Sequence, residues 1–150
     1  MSTADQLARA CADAMYGNDR ASRSLGMVID DIAEGRAVMS MTVREDMLNG
    51  HEVCHGGFIF TLADSAFAFA CNSQNVNTLA QGARIDFLAP GQLGDRLTAT
   101  ATVISQGRRT GIYDVSVVNQ AGKTIAAFRG NAFRIGGEVT ALGSGENSNE

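Results

Sequence analysis

The stretch that decides the fold runs from Asn49 to Asn72 and reads NGHEVCHGGFIFTLADSAFAFACN. From Phe58 onward it is apolar for most of its length, and its Ala, Phe and Leu content predicts a helix of about four turns. Because this helix is apolar on nearly every side, we expect it to be buried. Asp64 interrupts it, and burying a carboxylate costs several kcal/mol unless the group is paired or used.

The composition indicates one globular domain. The chain has 150 residues, of which 45% are hydrophobic and 19% charged, with a net charge of −4, and this length suffices for a single core. No Lys/Arg run offers a nucleic-acid footprint, no apolar run reaches the length of a membrane span, and no secretion leader is evident. Because Cys11, Cys54 and Cys71 form no metal or disulfide pattern, we expect a reduced, cytoplasmic setting and no metal or cofactor.

The rest of the chain predicts one amphipathic helix at residues 3–15 and five to six strands. The first strand follows from about Leu25 and ends at the turn Glu34-Gly35. The others are predicted at 36–44, 78–88, 95–105, 110–119 and 124–135, by alternation and by the turns between them. Short turns make the sheet antiparallel, so we predict an α+β fold with a curved sheet wrapped around the central helix.

This pattern predicts a single domain over residues 1–137, in which 1–20 form the amino-terminal helix and a linker. Residues 138–150 are rich in Gly, Ser, Asn and Glu, which predicts a flexible tail. The edge strands of the sheet alternate with small and threonine residues and so invite a second subunit.

Two features of the central helix point to chemistry. Gly56 and Gly57 stand at its start, where unpaired amides and the helix dipole suit a phosphate, a carboxylate or a developing oxyanion. Alternatively, the glycines only permit a sharp entry into the helix. Asp64 shares a helix face with Thr61, Ser65 and Ala68. This face either forms one wall of a functional site, or the Asp64 carboxylate is simply satisfied by hydroxyls and backbone amides.

The distance between the start of the helix and Asp64 indicates a second subunit. Gly57 and Asp64 are separated by about 10 Å along the helix axis at 1.5 Å per residue. One small electrophile is therefore not expected to contact both the amide and the carboxylate of the same helix. Two antiparallel helices related by a twofold axis would bring one chain's amide to the other chain's Asp64, so we predict a homodimer with shared sites.

The loop before the helix contains several other reactive residues. His51 and His55 are four residues apart but no third ligand is in view, so zinc is not expected. We expect His55 to cap the helix or to orient a substrate carbonyl, and Cys54 not to act as a thiol nucleophile, because adjacent residues rarely aim both side chains at one point. Asn49, which precedes Gly50, is either a turn residue or an amide that positions water.

The motif HGG-x₅-AD at residues 55–64 resembles that of the hot-dog-fold acyl-CoA thioesterases, in particular those of phenylacetic acid degradation. The similarity extends through MTVREDMLNGHEVCHGG (41–57), IDFLAPGQLGDRLTATA (85–101) and QGRRTGIYDVSVVNQAGKTIAAFRG (106–130). The resemblance implies a hot-dog fold and dimers that pair into homotetramers. It also implies hydrolysis of aryl-acyl-CoA thioesters, phenylacetyl-CoA or its ring-hydroxylated forms, in phenylacetate catabolism.

By the same resemblance, Asp64 is the general base or nucleophile, Asn49 and His55 match the polar residues before the glycines, and Gly56 or Gly57 supplies the amide that polarises the carbonyl. Of the two amides we predict that of Gly57, with His55 nearby, to bind the thioester oxygen while Asp64 of the other chain drives water onto the carbonyl. The phosphates of CoA call for cations, and the candidates are Arg108, Arg109, Lys123 and Arg129, each of which is otherwise a solvated strand charge. An aryl group needs an apolar pocket. Its candidates are Leu48, Phe58, Leu62 and Phe67, which core packing explains equally well.

Two other functions fit the same fold. A non-catalytic acyl-CoA-binding module would need no Asp64. A hot-dog dehydratase would use a His/Asp pair, but its motif places the histidine and the acid differently from HGG-x₅-AD.

Overall fold

The computed structural model describes residues 2–141, which form one six-stranded antiparallel sheet, a long helix packed against it and two amino-terminal helices. The helices are α1 (Thr3–Asn18), α2 (Arg20–Ser24) and α3 (Gly56–Cys71). The strands are β1 (Val28–Ala33), β2 (Arg36–Thr42), β3 (Thr78–Phe87), β4 (Arg96–Gln106), β5 (Thr110–Val118) and β6 (Thr124–Arg134). Their order in the sheet is β1-β2-β4-β5-β6-β3, and a 3₁₀ turn at Glu45–Met47 precedes the loop to α3.

Helix α3 is buried, as its sequence predicts. It contacts all six strands, so the sheet wraps around it, and this is the α+β arrangement that the sequence indicates. Its fully or nearly fully buried residues are Ile59, Leu62, Ala63, Ala66, Phe67, Phe69, Ala70 and Cys71. Burying each large apolar side chain contributes about 1.5–3 kcal/mol, and α3 supplies more buried core residues than any other single element.

Both ends of α3 are fixed by side chains. His55 is the N-cap, and its Nδ1 accepts a hydrogen bond from the Gly57 amide at 3.0 Å. At the other end Asn72 is buried, and its amide group donates to the Ala68 and Thr78 carbonyls while accepting from the Thr78 amide. Asn72 therefore connects the last turn of α3 to the first residue of β3.

The helix packs tightly against the sheet where Phe67 meets Gly130. The ring of Phe67 also packs against Tyr113 and Phe128, with ring centroids 5.7 Å apart in both pairs. A Cβ at Gly130 would lie 2.7 Å from Cε2 of Phe67, so only glycine leaves room for the ring at this point of β6.

The amino-terminal region differs from the sequence prediction. Helix α1 continues to Asn18, beyond Gly17, and a second short helix follows because Asp19 caps it by accepting from the Ser22 amide. The first strand begins at Val28 rather than near Leu25. Propensity alone does not predict α2, because its stability depends on this cap and on packing.

The carboxyl-terminal prediction also needs a correction. Asn75 pairs with the backbone of Thr140 through two hydrogen bonds, and Asn77 donates to the Glu138 carbonyl. The first residues of the predicted flexible tail are therefore held against the loop after α3. The remainder, residues 142–150, lies outside the described part of the chain.

Strand β3 is the open edge of the sheet. Its ten residues are almost all solvent-exposed, and they include Leu79 and Phe87 with exposed fractions of 57% and 53%. The opposite edge, β1, has six residues, is interrupted by a bulge and contacts α1. A long edge strand with exposed apolar side chains is a surface on which another strand can pair. Within residues 2–141, no helix is long and apolar enough to cross a membrane.

Gly130→Ala tests the packing between helix and sheet. We expect the substitution to lower the free energy of unfolding by about 1–3 kcal/mol, because the new methyl group overpacks the Phe67 ring. Urea denaturation monitored by circular dichroism measures the change. Gly17→Ala is the control: no atom lies within 4 Å of a Cβ there, so it should be neutral or slightly stabilising. Equal stability of the Gly130→Ala variant and the wild type would contradict the close contact.

Candidate active site

Asp64 is half-buried in the middle of α3, and its carboxylate has no partner within residues 2–141. No described side chain or amide donates a hydrogen bond to it, and no cation lies within ion-pair distance. A half-buried carboxylate without a donor carries an uncompensated desolvation cost. Such a group is a candidate for a functional site.

The hydroxyl groups beside Asp64 are committed to other partners. Thr61 Oγ1 donates to the Gly57 carbonyl at 2.8 Å. Ser65 Oγ lies 2.8 Å from Ser22 Oγ of α2, which in turn donates to Asp19 Oδ2 at 2.7 Å. Because the one proton of Ser22 goes to Asp19, Ser65 must donate to Ser22. The alternative in which neighbouring hydroxyls satisfy Asp64 is therefore wrong.

The pKa of Asp64 is raised above its ordinary value. Burial is the main cause, because desolvation disfavours the charged form, and the nearby Asp19 carboxylate adds like-charge repulsion. A carboxylate with a raised pKa holds a proton more strongly once it has taken one up, which suits a general base.

The start of α3 presents two amides that differ in their partners. The Gly57 amide donates to His55 Nδ1 at 3.0 Å, whereas the Gly56 amide has no acceptor among the described residues. Because Nδ1 of His55 accepts, the proton of a neutral ring is on Nε2. The helix start therefore offers the Gly56 N–H and, from an exposed His55, an Nε2–H donor.

The loop before α3 is held by Asn49. Its Oδ1 accepts from the His51 and Val53 amides at 2.9 and 3.3 Å, so Asn49 is a turn residue, as one of the two sequence interpretations stated. Cys54 is buried, and burial raises the pKa of its thiol to about 11, which disfavours a thiolate nucleophile. Residues 2–141 contain no group of three or more His, Cys, Asp or Glu side chains arranged to hold a metal ion.

The candidate pocket residues from the sequence do not form one pocket. Leu62 and Phe67 are buried in the core, and Leu48 and Phe58 are half-buried against it. A different cleft of about 390 Å³ lies beside Gly56 and is lined by apolar side chains and backbone. Its lining residues are Val53, Cys54, Gly56, Ile59, Phe87, Leu88, Ala89 and Pro90.

Sequence reasoning missed Phe87 as a neighbour of the helix start. A Cβ at Gly56 would lie 2.9 Å from Cζ of its ring, so the end of β3 covers the first turn of α3. The apolar IDFL segment gives a strand but does not indicate which helix turn it contacts, because that depends on the position of β3 at the edge of the sheet.

The predicted cations separate into two groups. Arg108 and Arg109 line a cleft of about 640 Å³ together with Arg134, which the sequence analysis did not select. Arg129 forms a bidentate pair with Asp114 at 2.6 and 2.9 Å, and Lys123 lies in the turn before β6, at the far end of that strand from Arg134. None of the three arginines of the cleft forms an ion pair within residues 2–141.

Comparison with known proteins identifies the family of this chain. Residues 51–126 match the Thioesterase superfamily. The chain belongs to this family. It is 56% identical over 129 residues to the acyl-coenzyme A thioesterase PaaI of Escherichia coli K12, covering 86% of this chain and 92% of that protein. It is a thioester hydrolase of the hot-dog fold.

Solved structures of this thioesterase family extend the comparison. The structure of E. coli PaaI, from the phenylacetic acid degradation operon, superposes with a TM-score of 0.90 at 53% identity, covering 91% of this chain and 99% of that one. A protein of Streptococcus pneumoniae described as a hypothetical thioesterase and solved with coenzyme A has a TM-score of 0.72 at 28% identity, covering 75% of this chain and 90% of that one.

Asp64→Asn tests the uncompensated carboxylate through stability. Because the native pKa of Asp64 is raised, ionisation costs stability at neutral pH, and this cost disappears as the pH falls below the ordinary pKa of aspartate. We expect the variant to melt at a higher temperature than the wild type near neutral pH and at the same temperature in acid. Thermal unfolding between about pH 3 and pH 8 measures the difference.

Asp13→Asn provides the matched control, because the Asp13 side chain is 62% exposed on α1. This control variant should show no comparable rise in melting temperature near neutral pH. If the Asp64→Asn variant melts at a lower temperature than the wild type at neutral pH, the carboxylate makes a stabilising contact.

Proposed function

We propose that this thioesterase hydrolyses aryl-acyl-CoA thioesters, with phenylacetyl-CoA or ring-hydroxylated phenylacetyl-CoA as substrate, in phenylacetate catabolism in the cytoplasm. The observation that carries the proposal is the half-buried Asp64 carboxylate, which has a raised pKa and no hydrogen-bond donor in the described part of the chain. In the proposed reaction a water molecule attacks the thioester carbonyl, and Asp64 accepts a proton from that water. The tetrahedral intermediate then collapses, and the CoA thiolate leaves and takes up a proton.

The Gly56 amide is the proposed donor to the thioester oxygen. A donor that has no acceptor in the free protein can bind a developing oxyanion without breaking an existing bond. Gly56 has this property, whereas Gly57 would first have to give up its bond to His55. His55 then serves in two ways, as the helix cap through Nδ1 and as a second donor through Nε2–H. Asn49 holds the loop through Oδ1, and its amide nitrogen, which has no partner within residues 2–141, is proposed to position water.

The site is proposed to be shared between two chains. Gly56 and Asp64 are eight residues apart on one helix, which is about 12 Å along its axis, too far for one carbonyl. Strand β3 is an exposed edge, and its two ends lie near the two ends of α3, since Phe87 covers Gly56 and Asn72 bonds Thr78. Antiparallel pairing of two β3 strands would therefore bring one chain's helix start toward the partner's helix. Two such dimers would form the expected tetramer.

The two parts of the substrate have separate candidate clefts. The apolar cleft between Phe87 and Ile59 adjoins Gly56 and suits an aryl group. The cleft of Arg108, Arg109 and Arg134 suits the phosphates of CoA, because arginine pairs with phosphate oxygens and these three have no carboxylate partner among residues 2–141. It lies at the end of the sheet where β3 begins, which is the end that an antiparallel partner would present to the helix start of the other chain.

Release of free thiol tests the proposed reaction. The wild type should cleave phenylacetyl-CoA and hydroxyphenylacetyl-CoA faster than a straight-chain acyl-CoA of equal size. Asp64→Asn should lower kcat by about 10²–10⁴-fold with little change in KM, because the base acts in the transition state. A wild type that binds but does not cleave would indicate a binding module, and near-normal turnover by the variant would refute the role of Asp64.

Gly56→Pro tests the amide donor. Proline has no N–H but is accepted at the first position of a helix, and the extended backbone of His55 at φ −60° and ψ 133° is compatible with a following proline. We expect kcat to fall by about 10²–10³-fold relative to Gly56→Ala. The alanine variant is the control because it adds a Cβ beside Phe87 but keeps the N–H.

Mixing the two inactive variants tests whether the site is shared. A dimer of one Asp64→Asn chain and one Gly56→Pro chain would contain one intact site and one doubly altered site. After unfolding and refolding together, the mixture should regain about a quarter of wild-type activity, because half of randomly assembled dimers are mixed. No recovery, with mixed dimers demonstrated by mass spectrometry, would place both groups in the same chain.

A further inference from the structure

Arg134 is the central arginine of the proposed phosphate cleft, and its backbone lies directly against that of Arg109. The Arg134 amide donates to the Arg109 carbonyl at 2.8 Å, where β6 ends beside the β4–β5 turn. The Arg134 side chain is half-buried, and its Nε has no hydrogen-bond partner within the described chain. A guanidinium with a vacant donor and no carboxylate partner is suited to an anionic ligand.

Gln74 holds this side chain. Nη2 of Arg134 donates to Gln74 Oε1, and Gln74 Nε2 donates to Glu34 Oε1 at 2.6 Å. Gln74 lies in the loop after α3, and Glu34 lies in the turn between β1 and β2. The contact therefore joins three segments that are far apart in the sequence.

Glu34 determines which end of the Gln74 amide faces Arg134. A carboxylate only accepts hydrogen bonds, so the Gln74 NH₂ group must face Glu34 and the carbonyl oxygen must face the guanidinium. The negative charge of Glu34 is thereby kept one side chain away from Arg134, and the residue that actually contacts Arg134 is neutral.

This arrangement differs from that of the other arginines on the sheet. Asp114 binds Arg129 directly with both oxygens, and Asp31 binds Arg36 at 2.7 Å, so those charges are compensated. We propose that Gln74, oriented by Glu34, is a positioning residue that fixes Arg134 for a CoA phosphate while leaving its charge uncompensated. The proposal rests on the proposed function, because it concerns the substrate of the same site.

The test compares Gln74→Glu with Gln74→Leu. Glutamate has the same shape and, although it can no longer donate to Glu34, would form an ion pair with Arg134 and compete with the phosphate. Leucine removes both hydrogen bonds of Gln74 and adds no charge. We expect the KM for phenylacetyl-CoA to rise by about tenfold in Gln74→Glu and by about threefold in Gln74→Leu, with kcat unchanged. The KM for the N-acetylcysteamine thioester of phenylacetate, which has no phosphate, should not change in either variant.

The Arg134→Gln background shows whether Gln74 acts through the arginine. In that background Gln74→Glu should produce no further increase in KM, because the guanidinium charge that the new glutamate would neutralise is already absent. Ala121→Glu, in the exposed turn between β5 and β6 at the opposite end of β6 from Arg134, makes the same change in net charge and should leave both KM values unchanged. Calorimetric titration with the adenosine bisphosphate portion of CoA measures binding without hydrolysis. The affinity should fall from wild type to Gln74→Leu and further to Gln74→Glu.

The outcomes separate this proposal from the proposed function. A wild type that cleaves the N-acetylcysteamine thioester supports the reaction whatever the Gln74 variants do. Equal KM values for wild type and Gln74→Glu, or an equal rise for both thioesters, would overturn the role of Gln74. Tighter titration of the bisphosphate by Gln74→Glu would overturn it as well.

Discussion

The burial of α3 inside a single sheet is the constraint on which the rest of the structure depends. An almost wholly apolar helix has to be covered on most of its circumference, and the sheet achieves this by contacting it from all six strands. The cost falls on the sheet, which must lose a side chain at Gly130 where the Phe67 ring approaches. Any polar group that remains on such a helix is conspicuous, and Asp64 is the carboxylate that does.

Much of this fold can be predicted from local patterns. The alternation in β2, β4, β5 and β6 and the apolar run of α3 each depend on neighbouring residues, so the strands and the helix fall close to the predicted positions. Features that depend on distant contacts are not predictable in this way. Asn72 and Ser73 look like a polar exit from the helix, yet both are buried because they bond the start of β3 and the Gly35 amide.

The candidate site also contains residues that local sequence predicts and residues that depend on distant contacts. Asp64, His55 and the two glycines occur in one continuous stretch, so their role can be inferred from spacing and from the resemblance to a family. The cation cleft arises only when β5 and β6 pair and bring Arg109 beside Arg134, which are 25 residues apart in the numbering of the chain. The pocket residues were predicted least well, since apolar side chains on a buried helix serve the core and a pocket equally, and here Leu62 and Phe67 serve the core.

A chain of hydrogen bonds from Asp19 through Ser22 to Ser65 connects the amino-terminal helices to the middle of α3. It ends one residue from Asp64, and the charge of Asp19 contributes to the raised pKa of that acid. Asp19 lies outside residues 51–126, the portion that defines membership of the family. The pKa of Asp64 is thus partly set from the amino-terminal helices, outside the portion that matches the family. Substitutions in these helices can therefore change the proton affinity of Asp64 with no change in the sequence of α3.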